Sequence, residues 1–140
     1  MNQNKVAHIL VVDDQPSWRN ALRMLLEQEG YVVTAVADFE SACAVLDSQI
    51  FDLITLDVRL IDNEVFNVQG LGLLQRIKQA QVGAAVIMLT GYPEIIREDP
   101  LEEYGADALL LKVPAGAHFD RIEFQELVRS LVAHQATKGL

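Results

Sequence analysis

The 140-residue chain has little of several residue types, and each shortage excludes a class of protein. A single cysteine, Cys43, excludes an internal disulfide framework and a cysteine-ligated zinc site. No apolar run approaches the roughly 18 residues that a membrane-spanning helix needs. The start, Met1–Lys5, lacks the basic and apolar regions of a signal peptide and leads straight into a strand-like segment. The sequence therefore predicts a soluble cytoplasmic domain.

Basic residues are also scarce. The chain has 11 lysines and arginines against 20 aspartates and glutamates, which gives a formal net charge of −9. A charge of this sign is repelled by nucleic acid and by anionic membrane surfaces. We therefore expect that this chain by itself binds neither of them.

Apolar residues, in contrast, make up 51% of the chain, which is enough to build a complete core. There is no internal repeat, low-complexity tract or linker, and the length suits one domain. We expect a single domain over residues 1–140, with a core over about 6–132 and a loose tail at 135–140.

Short apolar runs alternate with helical patterns along the chain. Strands are predicted at Val6–Val12, Tyr31–Val36, Phe51–Leu56, Ala84–Leu89 and Ala108–Leu111. The first helix is predicted to begin at Pro16 and to stop at Gly30, and the second to follow Asp38 as its N-cap. A third is predicted around Leu71–Ile77, and a weak fourth over Pro93–Tyr104 with an interruption at Pro100. The last is predicted to follow a capping box of Asp120 and Glu123. This alternation predicts βαβ units and an α/β fold in which helices cover both faces of a parallel sheet.

Polar side chains stand where the predicted strands end. The first strand ends at Asp13-Asp14, the third at Asp57, the fourth at Thr90 and the fifth at Lys112. A single strand-end acid is often only a helix cap or a turn residue. Because the carboxyl ends of parallel strands form one ligand-binding edge, the whole set favours a functional site instead.

The residue types at this edge suit phosphoryl chemistry. Carboxylates that lie close together repel one another by about 4 kcal/mol per pair at an effective dielectric constant near 20, so they need a counter-cation. Oxygen ligands favour Mg²⁺ or Mn²⁺ over zinc. A carboxylate beside such a cation and a lysine can attack a phosphoryl group, and a hydroxyl can donate a hydrogen bond to the product. Without the cation the acids repel one another, so Asp13→Ala is expected to leave the metal-free fold as stable or slightly more stable.

The segments VVDDQPSWR, DLITLDVRL, VIMLTGY and GADALLLKVP resemble the receiver domain of two-component response regulators, over roughly Val6–Val132. The resemblance implies a flavodoxin-like, three-layer (βα)5 fold with a five-stranded parallel sheet in the order 2-1-3-4-5. It also implies a histidine kinase or a histidine phosphotransfer protein as the phosphodonor, and an output partner or effector domain that the sequence does not identify.

The resemblance assigns roles to the strand-end residues. It implies that Asp57 accepts the phosphoryl group, that Thr90 and Lys112 contact it, and that no enzyme activity exists beyond self-phosphorylation and self-dephosphorylation at Asp57. The implied ligands of Mg²⁺ (or Mn²⁺) are Asp14 directly, Asp13 through water, Asp57, and the backbone carbonyl of Arg59.

One departure from the family pattern concerns the switch that follows phosphorylation. Leu109 stands three residues before Lys112, where many receivers carry a tyrosine or phenylalanine that moves with the hydroxyl of Thr90. Tyr92 is a candidate substitute, so the candidate switch residues are Thr90, Tyr92 and Leu109. We expect the response to move into the loops Val58–Gln69 and Gly91–Asp99.

Other functions remain open at this stage. A degenerate receiver would dock partners without phosphorylation, although such domains usually lack the acids or the lysine. A phosphohydrolase of the haloacid-dehalogenase type also uses a strand-end aspartate with Mg²⁺, but it requires a second aspartate where this chain has Arg59. Trp18, which follows the acid pair, either covers the core or contacts a ligand.

Overall fold

The structure is a computed structural model that describes residues 6–57, 69–81, 83–90, 106–112 and 119–138. The strands are β1 (His8–Val12), β2 (Val32–Val36), β3 (Leu53–Asp57), β4 (Ala85–Thr90) and β5 (Ala108–Leu111). The helices within the described ranges are α1 (Pro16–Gln28), α2 (Phe39–Ser48), α3 (Gln69–Ala80) and α4 (Arg121–Lys138).

All five strands form one parallel sheet in the order β2-β1-β3-β4-β5. This confirms the strand order that the family resemblance implies. The strands β1, β3 and β4 lie in the middle, and every residue of β3 is buried. Their continuous apolar sequences follow from this position, because a strand that is covered on both faces has no solvent side.

Two layers of helices cover the sheet, and side chains that alternate along each strand divide between them. The layer of α1 and α4 covers one face, where buried residues include Ile9, Val11, Leu22, Leu26, Leu53, Ile87, Phe124 and Val128. The layer of α2 and α3 covers the other face, where buried residues include Leu10, Ala42, Leu46, Ile54, Leu74, Ile77 and Val86. The three-layer α/β architecture predicted from the sequence is confirmed.

The helix ends follow the local signals in the sequence. Pro16 stands in the first turn of α1, and Gly30 beyond its end has a φ of +91°, which a glycine adopts without strain. Asp38 accepts a hydrogen bond from the N–H of Ser41 at 2.7 Å, and this bond is the main reason that the pKa of Asp38 is lowered. Asp120 accepts a bond from the N–H of Glu123 at 2.9 Å in the same way.

Some predicted boundaries are wrong. β1 begins at His8 rather than Val6, and β3 runs to Asp57 itself. The predicted tail at 135–140 is helical through Lys138, because alanine, glutamine and lysine in this segment favour the continuation of α4. The weak helix predicted over Pro93–Tyr104 lies outside the described residues.

β3 also carries a polar side chain inside the core. Thr55 is 0% exposed and lies between Val11 of β1 and Ile87 of β4. Within the described part of the chain, its hydroxyl oxygen has no hydrogen-bond partner. A buried hydroxyl in this condition lowers stability, since it gives up its bonds to water without replacing them.

Substitution of Thr55 by valine tests this cost. Thr55→Val keeps the shape of the side chain and removes the hydroxyl, so the free energy of unfolding should rise by about 1–2 kcal/mol. Thr34→Val on the half-buried strand β2 is the matched control and should change stability by less than about 0.5 kcal/mol. Urea unfolding measures both values. A loss of stability in Thr55→Val would contradict the assignment of an unpaired hydroxyl.

The cap of α2 gives a second stability prediction. Asp38→Ala removes the acceptor of the Ser41 N–H and should lower the free energy of unfolding by about 1 kcal/mol at neutral pH. Asp38→Asn keeps an acceptor oxygen and should lower it less.

The same cap predicts a pH dependence. Because the folded-state pKa of Asp38 lies below its ordinary value of 3.8, its charge stabilises the fold above that pH. This contribution is lost as the pH falls through the lowered pKa, so the difference between wild type and Asp38→Asn should shrink in acid. Urea unfolding at neutral pH and at about pH 3 checks the sign. A difference that grows in acid would contradict it.

Candidate functional site

The predicted acids and the lysine meet at the carboxyl edge of the sheet. Asp13 follows β1 directly, Asp57 is the last residue of β3, and Lys112 follows β5. These side chains are nearly inaccessible to solvent, since Asp13 is 1%, Asp57 5% and Lys112 7% exposed. The edge therefore holds ionic groups in surroundings where charges interact more strongly than they do in water.

Lys112 lies at the centre of this edge. Its Nζ is 2.8 Å from Oδ2 of Asp13, and it donates hydrogen bonds to Oδ2 of Asp57 at 3.2 Å and to Oε1 of Gln15 at 3.0 Å. The contact with Asp13 is an ion pair, whereas the contacts with Asp57 and Gln15 are hydrogen bonds. Lys112 thereby links the ends of β1 and β3 to the end of β5.

The turn between β1 and α1 fixes the carboxylate of Asp13. Its Oδ1 accepts a hydrogen bond from the N–H of Gln15 at 2.9 Å. Its own N–H donates to the carbonyl of Val36 at 3.1 Å, and its carbonyl accepts from Nη1 of Arg19 at 2.9 Å. The backbone on both sides of Asp13 is held, so the carboxylate is oriented before any ligand arrives.

The acid cluster suits a hard divalent cation. One carboxylate oxygen from each of Asp13, Asp14 and Asp57 lies within 4.8 Å of the others. Ligands of octahedral Mg²⁺ are about 3 Å apart when adjacent and about 4 Å apart when opposite, so these oxygens must move closer together to bind one ion. The three carboxylates and the Lys112 ammonium group have a formal charge of −2 when ionised, which one divalent cation would neutralise.

For the other predicted site residues the structure gives only a strand position, or they lie outside the described residues. Thr90 ends β4 at the same edge, where it is paired with Leu111 of β5. Arg59 and Tyr92 lie outside the described residues. Leu109 is paired with Met88, is 37% exposed, and lies on the sheet face opposite to that of Ala108 and Leu110. The roles that the sequence suggests for Thr90, Tyr92 and Leu109 therefore remain predictions.

Two further residues lie at the site: Gln15, which the sequence did not assign to it, and Trp18, for which the sequence left a ligand contact open. Gln15 contacts Lys112 through its side-chain amide, and the centre of the Trp18 ring lies 5.3 Å from the lysine Nζ. Gln15 lies in the turn after Asp13-Asp14 and Trp18 in the first turn of α1, and this closeness in sequence to the acid pair was the only available signal. Their shared partner is distant in the chain, so the contact itself could not be read from local pattern.

The strand order, with an acidic carboxyl edge that contains a lysine, defines a class of α/β domains with a flavodoxin-like fold. Comparison with known proteins agrees with that class. A family model for the response regulator receiver domain matches residues 9–121. The chain belongs to the receiver domain family of two-component response regulators, and it is a signalling domain.

Curated relatives include two bacterial transcription regulators. The transcriptional regulatory protein TrcR of Mycobacterium tuberculosis is 31% identical over 104 residues, which cover 74% of this chain and 38% of TrcR. The transcriptional regulatory protein GlrR of Escherichia coli is 30% identical over 109 residues, which cover 78% of this chain and 23% of GlrR. The chain thus spans well under half the length of these relatives.

Solved structures agree on the fold. A CheY-like response regulator receiver domain protein from Methanospirillum hungatei superposes with a TM-score of 0.80 at 26% identity, covering 96% of this chain and 99% of that one. The response regulator TrrA from Thermotoga maritima, solved in complex with Mg²⁺-BeF, gives a TM-score of 0.73 at 29% identity over 90% of this chain and 99% of TrrA.

Among the described helices, none has the length and apolarity to span a membrane.

The contacts of Asp13 refine its stability prediction. Asp13→Ala removes the acceptor of the Gln15 N–H as well as a charge, so the alanine variant mixes two effects that the sequence could not separate. Asp13→Asn keeps an acceptor and removes only the charge. It loses one attraction to Lys112 and two repulsions, so the metal-free protein should become as stable as wild type or slightly more stable.

Magnesium titration completes this test. In wild type, Mg²⁺ at ten times its dissociation constant should raise the free energy of unfolding by about 1.4 kcal/mol. Both Asp13 variants should lose most of that gain, whereas Asp47→Asn, a control at an exposed acid outside the cluster, should keep it. Urea unfolding with Mg²⁺ or a chelator measures the difference. An undiminished Mg²⁺ effect in Asp13→Asn would contradict the assignment of Asp13 to a cation site.

Proposed function

We propose that this chain is a phosphorylation-controlled receiver in which Asp57 accepts a phosphoryl group from a histidine kinase or a histidine phosphotransfer protein. The observation that carries the proposal is the contact of Lys112 with both Asp13 and Asp57 inside a buried cluster of acids. Simple helix caps do not require a lysine from a distant strand. A lysine beside a divalent cation and a phosphoryl group, in contrast, is a recurring arrangement in phosphoryl-transfer sites.

The proposed reaction is a transfer between two side chains. A carboxylate oxygen of Asp57 attacks the phosphorus of a phosphohistidine, an O–P bond forms, and the N–P bond breaks with its electron pair left on the ring nitrogen. Lys112, at 3.2 Å from Oδ2 of Asp57, offsets negative charge on the transferring oxygens. The hydroxyl of Thr90 donates a hydrogen bond to the product in this proposal.

The proposed metal site uses the acid cluster. Asp13, Asp14 and Asp57 contribute carboxylate oxygens, and the backbone carbonyl of Arg59 is a further ligand that the family resemblance suggests. When bound, Mg²⁺ (or Mn²⁺) neutralises charge on the phosphoryl oxygens. The residues themselves orient the acceptor, since the turn at Gln15 fixes Asp13 and Lys112 fixes Asp57.

The output is proposed to be a change of interactions and not turnover of a substrate. The relatives that this chain matches in part are transcriptional regulatory proteins, which supports a linked effector domain as the output partner. The formal charge of −9 argues against direct contact of this domain with nucleic acid or with anionic membranes. A cytoplasmic location belongs to the same proposal, because kinases draw their phosphoryl groups from ATP.

Phosphorylation with a small donor tests the assignment. Acetyl phosphate and Mg²⁺ should add one phosphoryl group that is labile to base and to hydroxylamine, because an acyl phosphate is the product. Asp57→Asn should abolish the addition, Asp47→Asn should leave it unchanged, and a chelator should stop it. Intact-mass measurement detects each outcome.

Three other results would each contradict the proposed function. Labelling that persists in Asp57→Asn would contradict Asp57 as the acceptor. Continued hydrolysis of added phosphomonoesters would indicate the hydrolase instead. Partner binding that does not change between wild type and Asp57→Asn, with no labelling of either, would indicate a receiver that only docks.

A further inference from the structure

Lys112 has a fourth neighbour, and it is not an oxygen. The ammonium nitrogen lies over the ring of Trp18, at 5.3 Å from the ring centre. This distance falls within the range of about 6 Å in which a cation is attracted to the face of an indole. Trp18 is the single tryptophan of the chain, and its contact with Lys112 is made by the ring and not by an oxygen atom.

The ring of Trp18 is itself held in place. Phe119 meets it edge to face, with ring centres 5.1 Å apart and an angle of 89°. Phe119 in turn packs against Phe124 at 5.6 Å, and Phe124 is completely buried at the start of α4. The ring beside Lys112 is therefore anchored to the core through two aromatic contacts.

Binding of a cation is expected to weaken two of the oxygen contacts of Lys112. Two of its three oxygens belong to Asp13 and Asp57, the acids proposed to bind a divalent cation. A carboxylate that binds the cation attracts the ammonium group less strongly. Hard cations take oxygen ligands and do not bind an indole ring, so the contact with Trp18 does not compete with the metal.

We infer that Trp18 is a positioning residue that keeps the Lys112 ammonium group at the carboxyl edge when a cation engages Asp13 and Asp57. The consequence for phosphorylation rests on the proposed function, whereas the contact with Lys112 does not. Trp18 also lines a groove of about 450 Å³ with Met24, Leu25 and Phe119. A residue that only covered the core there would be replaceable by any apolar side chain of similar size.

Two substitutions of Trp18 distinguish the positioning of Lys112 from simple covering of the core. Trp18→Leu keeps an apolar side chain and removes the aromatic face, whereas Trp18→Phe keeps an aromatic face. Met24→Ala is the matched control, because Met24 lines the same groove on α1 and is 54% exposed. Urea unfolding of all three establishes that each variant is folded before any other comparison.

The first measurement is the NMR signal of the Lys112 side chain. Protons above an indole face are shifted upfield, so the ε-methylene protons of Lys112 should show such a shift in wild type and lose it in Trp18→Leu. The shift should persist when Mg²⁺ and beryllofluoride are added to wild type. Its disappearance on this addition would overturn the inference, because the ring would not hold the lysine in the state where it matters.

The second measurement is the rate of phosphorylation by acetyl phosphate. Trp18→Leu should lower the maximal rate by roughly 3- to 30-fold, the range that a cation–π contact supports, with little change in the Mg²⁺ concentration needed for half-maximal rate. Trp18→Phe should recover most of the rate, and Met24→Ala should match wild type. A Trp18→Leu variant that is folded and as fast as wild type, or a Trp18→Phe variant as slow as Trp18→Leu, would overturn the inference.

The two proposals fail in different ways. If wild type takes no phosphoryl group at Asp57, the proposed function fails and the NMR measurement still decides the positioning role. If wild type is phosphorylated and neither Trp18 variant differs from it, the positioning role fails and the proposed function stands.

Discussion

A surplus of negative charge at the carboxyl edge of the sheet is the constraint on which this structure depends. Asp13, Asp14 and Asp57 bring three carboxylates together, and Asp13 and Asp57 are almost entirely buried. Burying an unpaired ion costs several kcal/mol, so such groups need partners that are held in place. Lys112 supplies one positive charge through a short ion pair. The charge that remains makes this edge suitable for a divalent cation.

The sheet provides the rigidity that such an edge requires. β1 and β3 are neighbours in register up to the pair of Val12 and Leu56, so the acids that follow these two residues emerge side by side. Helices on both faces keep water away from the strands, and apolar burial of this kind is the main source of stability in the fold. The carboxyl edge depends on that stability, because mutual repulsion of its acids would otherwise separate the strand ends.

Local signals in the sequence predicted the strands, the helix starts and the acidic edge. They did not predict contacts between residues that are distant in the chain. Apolar runs that end in acids predicted the strands and the edge, and capping residues such as Asp38 predicted helix starts. The strand order required the family resemblance, since periodicity does not fix which strands are neighbours. The contact of Trp18 with Lys112 joins α1 to the end of β5, and only the folded chain brings these residues together.

The alternation of side chains across β5 limits how a change at Lys112 can reach the surface. Ala108 and Leu110 face the layer of α1 and α4, where Trp18 also lies, whereas Leu109 faces the other side of the sheet. Leu109 has no ring or hydroxyl that could move between solvent and the core, as the aromatic residue of many receivers does. The described contacts of Lys112 with Trp18, and of Trp18 with Phe119, run instead toward the start of α4. The described contacts of the lysine therefore lead to rings packed between α1 and α4 and not to Leu109, because a side chain acts directly only on the neighbours it touches.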